Sequence, residues 1–320
     1  VARRRAAKAR KSTRARQGRG AGAPAVATES SPDLPNALDR FTLYELAAQN
    51  PARDAKLLLA VYLDAPGARD RPGLVLGEDF CGTAALSRAW CGLVRRSAAV
   101  GVDFDGPTLE RARAATGPAE CVTLIRADLL TPPRGRGAAL PPADVIAVQN
   151  FSIGEVPDRP SLVAYLARCR ARLKRGGCFV CDVYGGSDAY LTGIISQKVP
   201  IPPELARGLP KGTTAMYGWE QRSADPFTGR VVNAMHFEVR PGGTGRGRTA
   251  VELHDAFVYH WRLWSVPELR DAMAEAGFAR TEVYPRTPGA VDEGGRFHVH
   301  PVEDPDELGE SFNVYVVGRK

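Results

Sequence analysis

Residues 74–105, reading LVLGEDFCGTAALSRAWCGLVRRSAAVGVDFD, set two acids 25 residues apart around a short turn. Glu78 lies at the tip of an expected strand over 74–77, and the turn Cys81-Gly82-Thr83-Ala84 follows it. A helix is expected over 83–93, and a second strand over 98–103 ends on Asp103. That order is the first half of a nucleotide-cradling βαβ unit, in which an acid beyond the second strand accepts hydrogen bonds from ribose hydroxyls. A dinucleotide fingerprint needs G-x-G-x-x-G so that backbone can approach a pyrophosphate, but Gly82 is the only glycine between Gly77 and Gly92. The pattern argues against a nicotinamide dinucleotide and for an adenosine with no phosphate near this loop. S-adenosylmethionine has that form.

Other residue types that carry chemistry are dispersed. The six cysteines fall mostly inside expected strands and helices, unlike a disulfide framework. Cys178 and Cys181 form a CxxC, but in a strand-like run residues three apart point to opposite faces, so no shared metal is expected. Tyr184, Glu220, His236 and His254 are the candidates for a general base. Phe151, Tyr217 and Trp219 are candidates to border a cationic group, because ring faces attract positive charge.

The elements that must position these residues read as an α/β chain. A helix is expected over 36–49, with Leu38, Phe41, Tyr44 and Ala48 along one face and Leu43, Leu46 and Ala47 widening the apolar surface. A second begins with Asn50 as cap and Pro51 at its first position and runs to about residue 63. Strand and helix then alternate with short joins, which implies a parallel sheet. Further strands are expected over 121–126, 144–149 and 178–184, and an amphipathic helix over 159–174 is stopped by Gly176-Gly177. Residues 187–212 read as an irregular connection. Period-2 segments over 215–222, 231–239 and 251–261 then predict an antiparallel meander, with an aromatic face (Tyr217, Trp219, Phe237, Tyr259, Trp261) and a polar face (Glu220, His236, Glu238, His254, His260). Ser265 and Glu268 form a capping box for a helix over 267–276. A strand over 278–284, a long acidic loop over 286–310 and a closing strand over 312–318 complete the chain.

The 320 residues are 44% apolar, ordinary for a globular protein. The net charge of +7 is unevenly spread: residues 1–22 hold nine basic groups and no acid, leaving 34 basic against 36 acidic residues in the body. Residues 1–35 are therefore expected to be a disordered basic tail and linker, too poor in large apolar residues to offset the entropy of ordering. Residues 1–22 contain no apolar signal core, and no run of 18 apolar residues occurs, so neither secretion nor a membrane is expected and a cytoplasmic location is the default.

EDFCGTA at 78–84, GVDFD at 101–105, NFS at 150–152, DVYGG at 182–186 and YHWRLWSVPELRDAMAEAGF at 259–278 together resemble a bacterial branch of the class I S-adenosylmethionine-dependent methyltransferases that has no assigned substrate. The resemblance covers residues 36–319. It implies a Rossmann-like seven-stranded sheet over 36–186 and 263–320, interrupted by the meander as an inserted cap over 187–262. It further implies that Glu78 supports the turn and the methionine amino group, that Gly82 lets the cofactor lie against the turn, that Asp103 binds ribose and that Asp128 accepts from the adenine amino group. Asn150 and Phe151 match the segment facing the methyl group. Phe80, Cys81, Thr83, Phe104 and Leu129 complete the expected cofactor set. The chain departs from the pattern at Phe80 and Ala84, where many members carry glycine. The implied activity is methyl transfer to a small molecule of unknown identity. The alternatives are an RNA or DNA methyltransferase tethered through residues 1–22, and a non-catalytic binder of S-adenosylmethionine. QNFS at 149–152 lacks the NPPY-like box that amino-methylating DNA enzymes use.

Overall fold

Ala143–Val148 is buried at every position, which a strand achieves only when both faces of its sheet are covered. A computed structural model describes residues 38–118, 120–131, 139–242 and 251–320. The expected basic tail lies outside them. After two leading helices, α1 (Arg40–Ala48) and α2 (Pro51–Leu63), come β1 (Val75–Asp79), α3 (Ala85–Leu93), β2 (Ala98–Asp103), α4 (Gly106–Thr116), β3 (Val122–Arg126), β4 (Ala143–Val148), α5 (Arg159–Arg172) and β5 (Leu173–Gly186). Next are β6 (Gly193–Val199), the four-residue α6 (Pro203–Ala206), β7 (Thr214–Asp225), β8 (Arg230–Arg240) and β9 (Val251–Arg262). The chain closes with α7 (Val266–Glu275), β10 (Arg280–Pro285), the two-residue strands β11 (Ala290–Val291) and β12 (Phe297–His298), and β13 (Ser311–Arg319).

The central sheet has seven strands in the order β10-β13-β5-β4-β1-β2-β3. β1 to β5 run parallel, and β13 lies antiparallel to both β5 and β10. One face is covered by α5 and α7 through Tyr165, Leu166, Leu269 and Met273, the other by α2 and α3 through Leu57, Leu58, Val61 and Trp90. Cys181 belongs to the first layer and Cys178 to the second, the opposite-face placement that strand geometry requires. Caps anticipated from sequence are present: Asn50 accepts from Arg53 N at 3.2 Å, and Ser265 and Glu268 form a reciprocal capping box.

Three expectations need correction. The segment over 187–212 is not wholly irregular, because it contains β6, which pairs antiparallel with β7 and makes the second sheet four-stranded. Ile194 and Ile195 in β6 are 59% and 72% exposed, so its existence rests on backbone pairing, not on the alternating burial that marks a strand in sequence. β5 starts at Leu173, ahead of the glycine pair expected to end the preceding helix. At Gly177 a Cβ would lie 2.7 Å from the Asp144 carbonyl, so the glycine there serves close strand approach. The loop over 286–310 carries the β11–β12 hairpin.

Candidate functional site

β4, β1 and β2 are adjacent, so residues beyond their C-terminal ends share one edge of the sheet, where open α/β sheets bind ligands. Asp103 ends β2. One carboxylate oxygen accepts from Gly82 N at 2.8 Å and the other from Asp105 N at 3.0 Å. Burial pushes this carboxyl up and the two amides oppose the shift. A carboxylate oxygen has two acceptor sites, so these bonds orient Asp103 without exhausting it. Glu78, within β1, is only 6% exposed, and one of its oxygens accepts from Ser87 N at 2.8 Å and Ser87 Oγ at 2.5 Å in the first turn of α3. Desolvation pushes its carboxyl up to about 7 against both hydrogen bonds.

The rest of the expected cofactor set divides between contact and packing roles. Thr83 Oγ1 is buried with no partner among the described residues, and a Cβ built on Gly82 would meet nothing within 4 Å. An orphaned hydroxyl beside open space above a turn is what a ligand hydrogen-bonding there would complete. Cys81 is buried against Ala84, Leu109 and Ala112, and desolvation drives its thiol well above the usual range, so it is an inert filler. Phe104 is 64% exposed, whereas Leu129 is buried. Asp128 caps its own turn, accepting from Leu130 N at 2.8 Å, Thr131 N at 3.1 Å and the Thr131 hydroxyl. Desolvation works against its charge, but those bonds prevail and hold the carboxyl below its usual range.

Phe80 and Ala84 both adopt left-handed backbone conformations, with φ of 58° and 57°. For an L-residue this conformation costs about 1–2 kcal/mol, which is why glycine suits such positions. Packing offsets the cost here. The Phe80 ring lies 5.8 Å from that of Tyr165, and Ala84 is fully buried. The turn thus keeps a glycine-type backbone while presenting side chains to the core.

A second strained turn follows β4. Asn150 and Phe151 have φ of 57° and 62°, and their amides donate to the two oxygens of Asp182 on β5 at 3.0 and 2.7 Å. Asp182 is fully buried, and Arg286 Nη1 donates to it at 2.8 Å while Nη2 reaches Asp54 of α2 at 3.1 Å. Burial raises the Asp182 carboxyl and Arg286 opposes that shift. Sequence reasoning missed both Asp182 and Arg286. The available signal was an aspartate inside the otherwise apolar run CFVCDV.

Asn150, Phe151 and Arg286 line a cavity of about 450 Å³ between the sheet edge, α1 and the β6–β9 sheet. Tyr44 of α1, Phe151 and Tyr184 of β5 contribute rings from one side. β7 adds Tyr217 and Trp219, and β9 adds Tyr259 and Trp261. Tyr259 stacks on Trp261 with ring centroids 4.3 Å apart. α1 also reaches the turn after β1, since Arg88 pairs with Glu45 at 3.4 Å and donates to the Thr83 carbonyl at 2.5 Å.

The base candidates do not converge on this cavity. Tyr184 lines it, but its hydroxyl donates to Gln221 Oε1 at 3.0 Å and accepts from Asn233 Nδ2 at 3.4 Å, and desolvation raises its pKa further. A phenol so held keeps its proton at neutral pH. Glu220, His236 and His254 do not line the cavity. Strand alternation turns Glu220 and His236 away from the aromatic face, where they join Arg222 and Asp255 through contacts of 2.6–3.2 Å, and His254 pairs with Glu252 at 2.9 Å.

No protein-family model matches the chain, and no curated protein matches it by sequence. Solved structures do match. DesVI of Streptomyces venezuelae superposes with a TM-score of 0.58 at 18% identity, covering 88% of this chain and 98% of its own. The SAM-bound amino pentose methyltransferase CalS10 of Micromonospora echinaspora has a TM-score of 0.58 at 16% identity over 87% and 94%. The sugar N-methyltransferase KedS8 of Streptoalloteichus sp ATCC 53650 has a TM-score of 0.57 at 17% identity over 92% and 99%. The chain has the class I methyltransferase fold. Within that fold the β6–β9 sheet is an insertion between β5 and α7 that supplies four of the seven aromatic walls of the cavity.

Proposed function

We propose that the protein is an S-adenosylmethionine-dependent methyltransferase acting on a small molecule held in the aromatic cavity. The observation that carries this reading is the junction at Asn150 and Phe151. They follow β4, which neighbours β1 and its turn, and they also line the cavity. The similarity to an amino pentose methyltransferase and a sugar N-methyltransferase supports a small acceptor.

When bound, S-adenosylmethionine supplies a methyl group on a sulfonium, a leaving group already activated for displacement. The protein has then to orient and enclose. Asp103, fixed by the Gly82 and Asp105 amides, offers acceptor capacity to ribose hydroxyls, and the Thr83 hydroxyl offers a further polar contact. Asp182 holds the Asn150–Phe151 turn in one conformation, so the wall between the two ligands does not yield, and alignment of this kind is itself a large part of catalysis. The rings give the acceptor an aromatic surface to pack against. Binding of S-adenosylhomocysteine by calorimetry, with formation of S-adenosylhomocysteine from S-adenosylmethionine in a small-molecule acceptor screen, tests the reading. Absence of binding would refute it, and binding without turnover on any acceptor would favour a non-catalytic binder.

A further inference from the structure

We propose that the cavity takes its acceptor as a cation, an ammonium-bearing small molecule. The proposal deepens the methyltransferase reading and rests on it for the meaning of the cavity as the acceptor site. Among the described residues Arg286 is the only charged side chain on the lining, and its two terminal nitrogens are already paired, with Asp182 at 2.8 Å and Asp54 at 3.1 Å. Among the described residues, no basic side chain on this lining therefore lacks a carboxylate partner. Two buried carboxylates, Asp182 and Asp54, face that one guanidinium, and the exposed Glu155 accepts from the Trp261 indole N–H at 2.7 Å. A carboxylate bound to an indole N–H enriches the ring electronically, which strengthens its attraction for a cation on its face. The ring-lined walls, the carboxylate pairing of the one described cation among them and the Glu155 carboxylate on the Trp261 indole ask for the same complement, a positive charge.

The chemistry is consistent with that charge. The bound ammonium gives one proton to water to become the reactive amine. Its nitrogen lone pair then forms the new bond to the methyl carbon as the carbon–sulfur bond breaks, with that bond's electron pair staying on sulfur. The sulfonium charge passes to nitrogen, and the methylated product is again an ammonium.

Choline and its neutral isostere 3,3-dimethylbutan-1-ol differ in charge at nearly constant shape, and both can be titrated by tryptophan fluorescence against the full chain saturated with S-adenosylhomocysteine. Choline is expected to bind about tenfold or more tightly than the alcohol, and Trp219→Leu to remove most of that preference while Trp219→Phe, which keeps a ring, retains part of it. Circular dichroism on each variant establishes that it is folded. Equal affinity, tighter binding of the alcohol, or no binding of either overturns the proposal. Calorimetry with S-adenosylhomocysteine alone separates the two ideas: binding without a choline preference overturns only the cation, whereas a choline preference without that binding overturns the methyltransferase reading.

Discussion

Asp103 accepts the backbone amide of Gly82 at 2.8 Å, so the acid ending β2 and the turn after β1 form one unit although 21 residues separate them. Any ligand bound by the carboxylate is thereby held against the turn. Asp103→Ala is expected to weaken S-adenosylhomocysteine binding by about tenfold or more, the loss of a charged hydrogen-bonding group being worth about 1.5–3 kcal/mol. Calorimetry measures it, and an unchanged dissociation constant in a folded variant would refute the ribose role.

Glu78 predicts a pH dependence of stability. Its carboxyl is raised to about 7 by burial, so between pH 4.5 and 7 the folded state binds more protons than the unfolded chain. The contribution is fully present below the unfolded value and is lost as pH rises through the folded one. Its full span is roughly 3 kcal/mol. Glu78→Gln is expected to flatten this part of the profile and to be more stable relative to wild type at pH 8 than at pH 5. Urea denaturation at both values checks it, and a parallel profile in the variant would contradict the assignment.

The Asp182–Arg286 pair should be costly to break. Arg286→Met leaves Asp182 and Asp54 buried without their cation, with an expected loss of about 3–5 kcal/mol. Asp182→Asn keeps an acceptor for one of the two amides at the β4 tip and should cost less, about 1–3 kcal/mol. Chemical denaturation reads both. A loss below about 1 kcal/mol in Arg286→Met would show that the pair is not holding the tip.

Ala84 tests the strained turn. Ala84→Gly relieves the left-handed conformation but removes a buried methyl, so stability is expected to stay within about 1 kcal/mol of wild type. Ala84→Val places a β-branched residue at a positive φ in a packed site and should cost about 2 kcal/mol or more. Thermal unfolding of the two variants distinguishes them, and a harmless valine would contradict the conformation.

The parallel core and the turn around Glu78, Gly82 and Asp103 were legible in the residues because local rules govern them. A buried run, a cap or a tight turn is written within a few positions, whereas the positive φ of Phe80 and Ala84 became visible only in the structure. The meander's aromatic face was legible for the same reason, since strand alternation has period two. Local pattern did not show β6, an exposed edge strand made by pairing with β7. It could not show that Tyr184 is locked by Gln221, or that Glu220, His236 and His254 miss the cavity. Nor did it join Asp182 to Arg286 across 104 residues, or bring rings from α1, the β4 tip, β5, β7 and β9 around one space. The turn after β1 depends on short-range backbone geometry, which the amino-acid order specifies directly. The aromatic cavity depends on which strand edges pair and how an inserted sheet docks, and those long-range contacts exist only once the whole chain has packed.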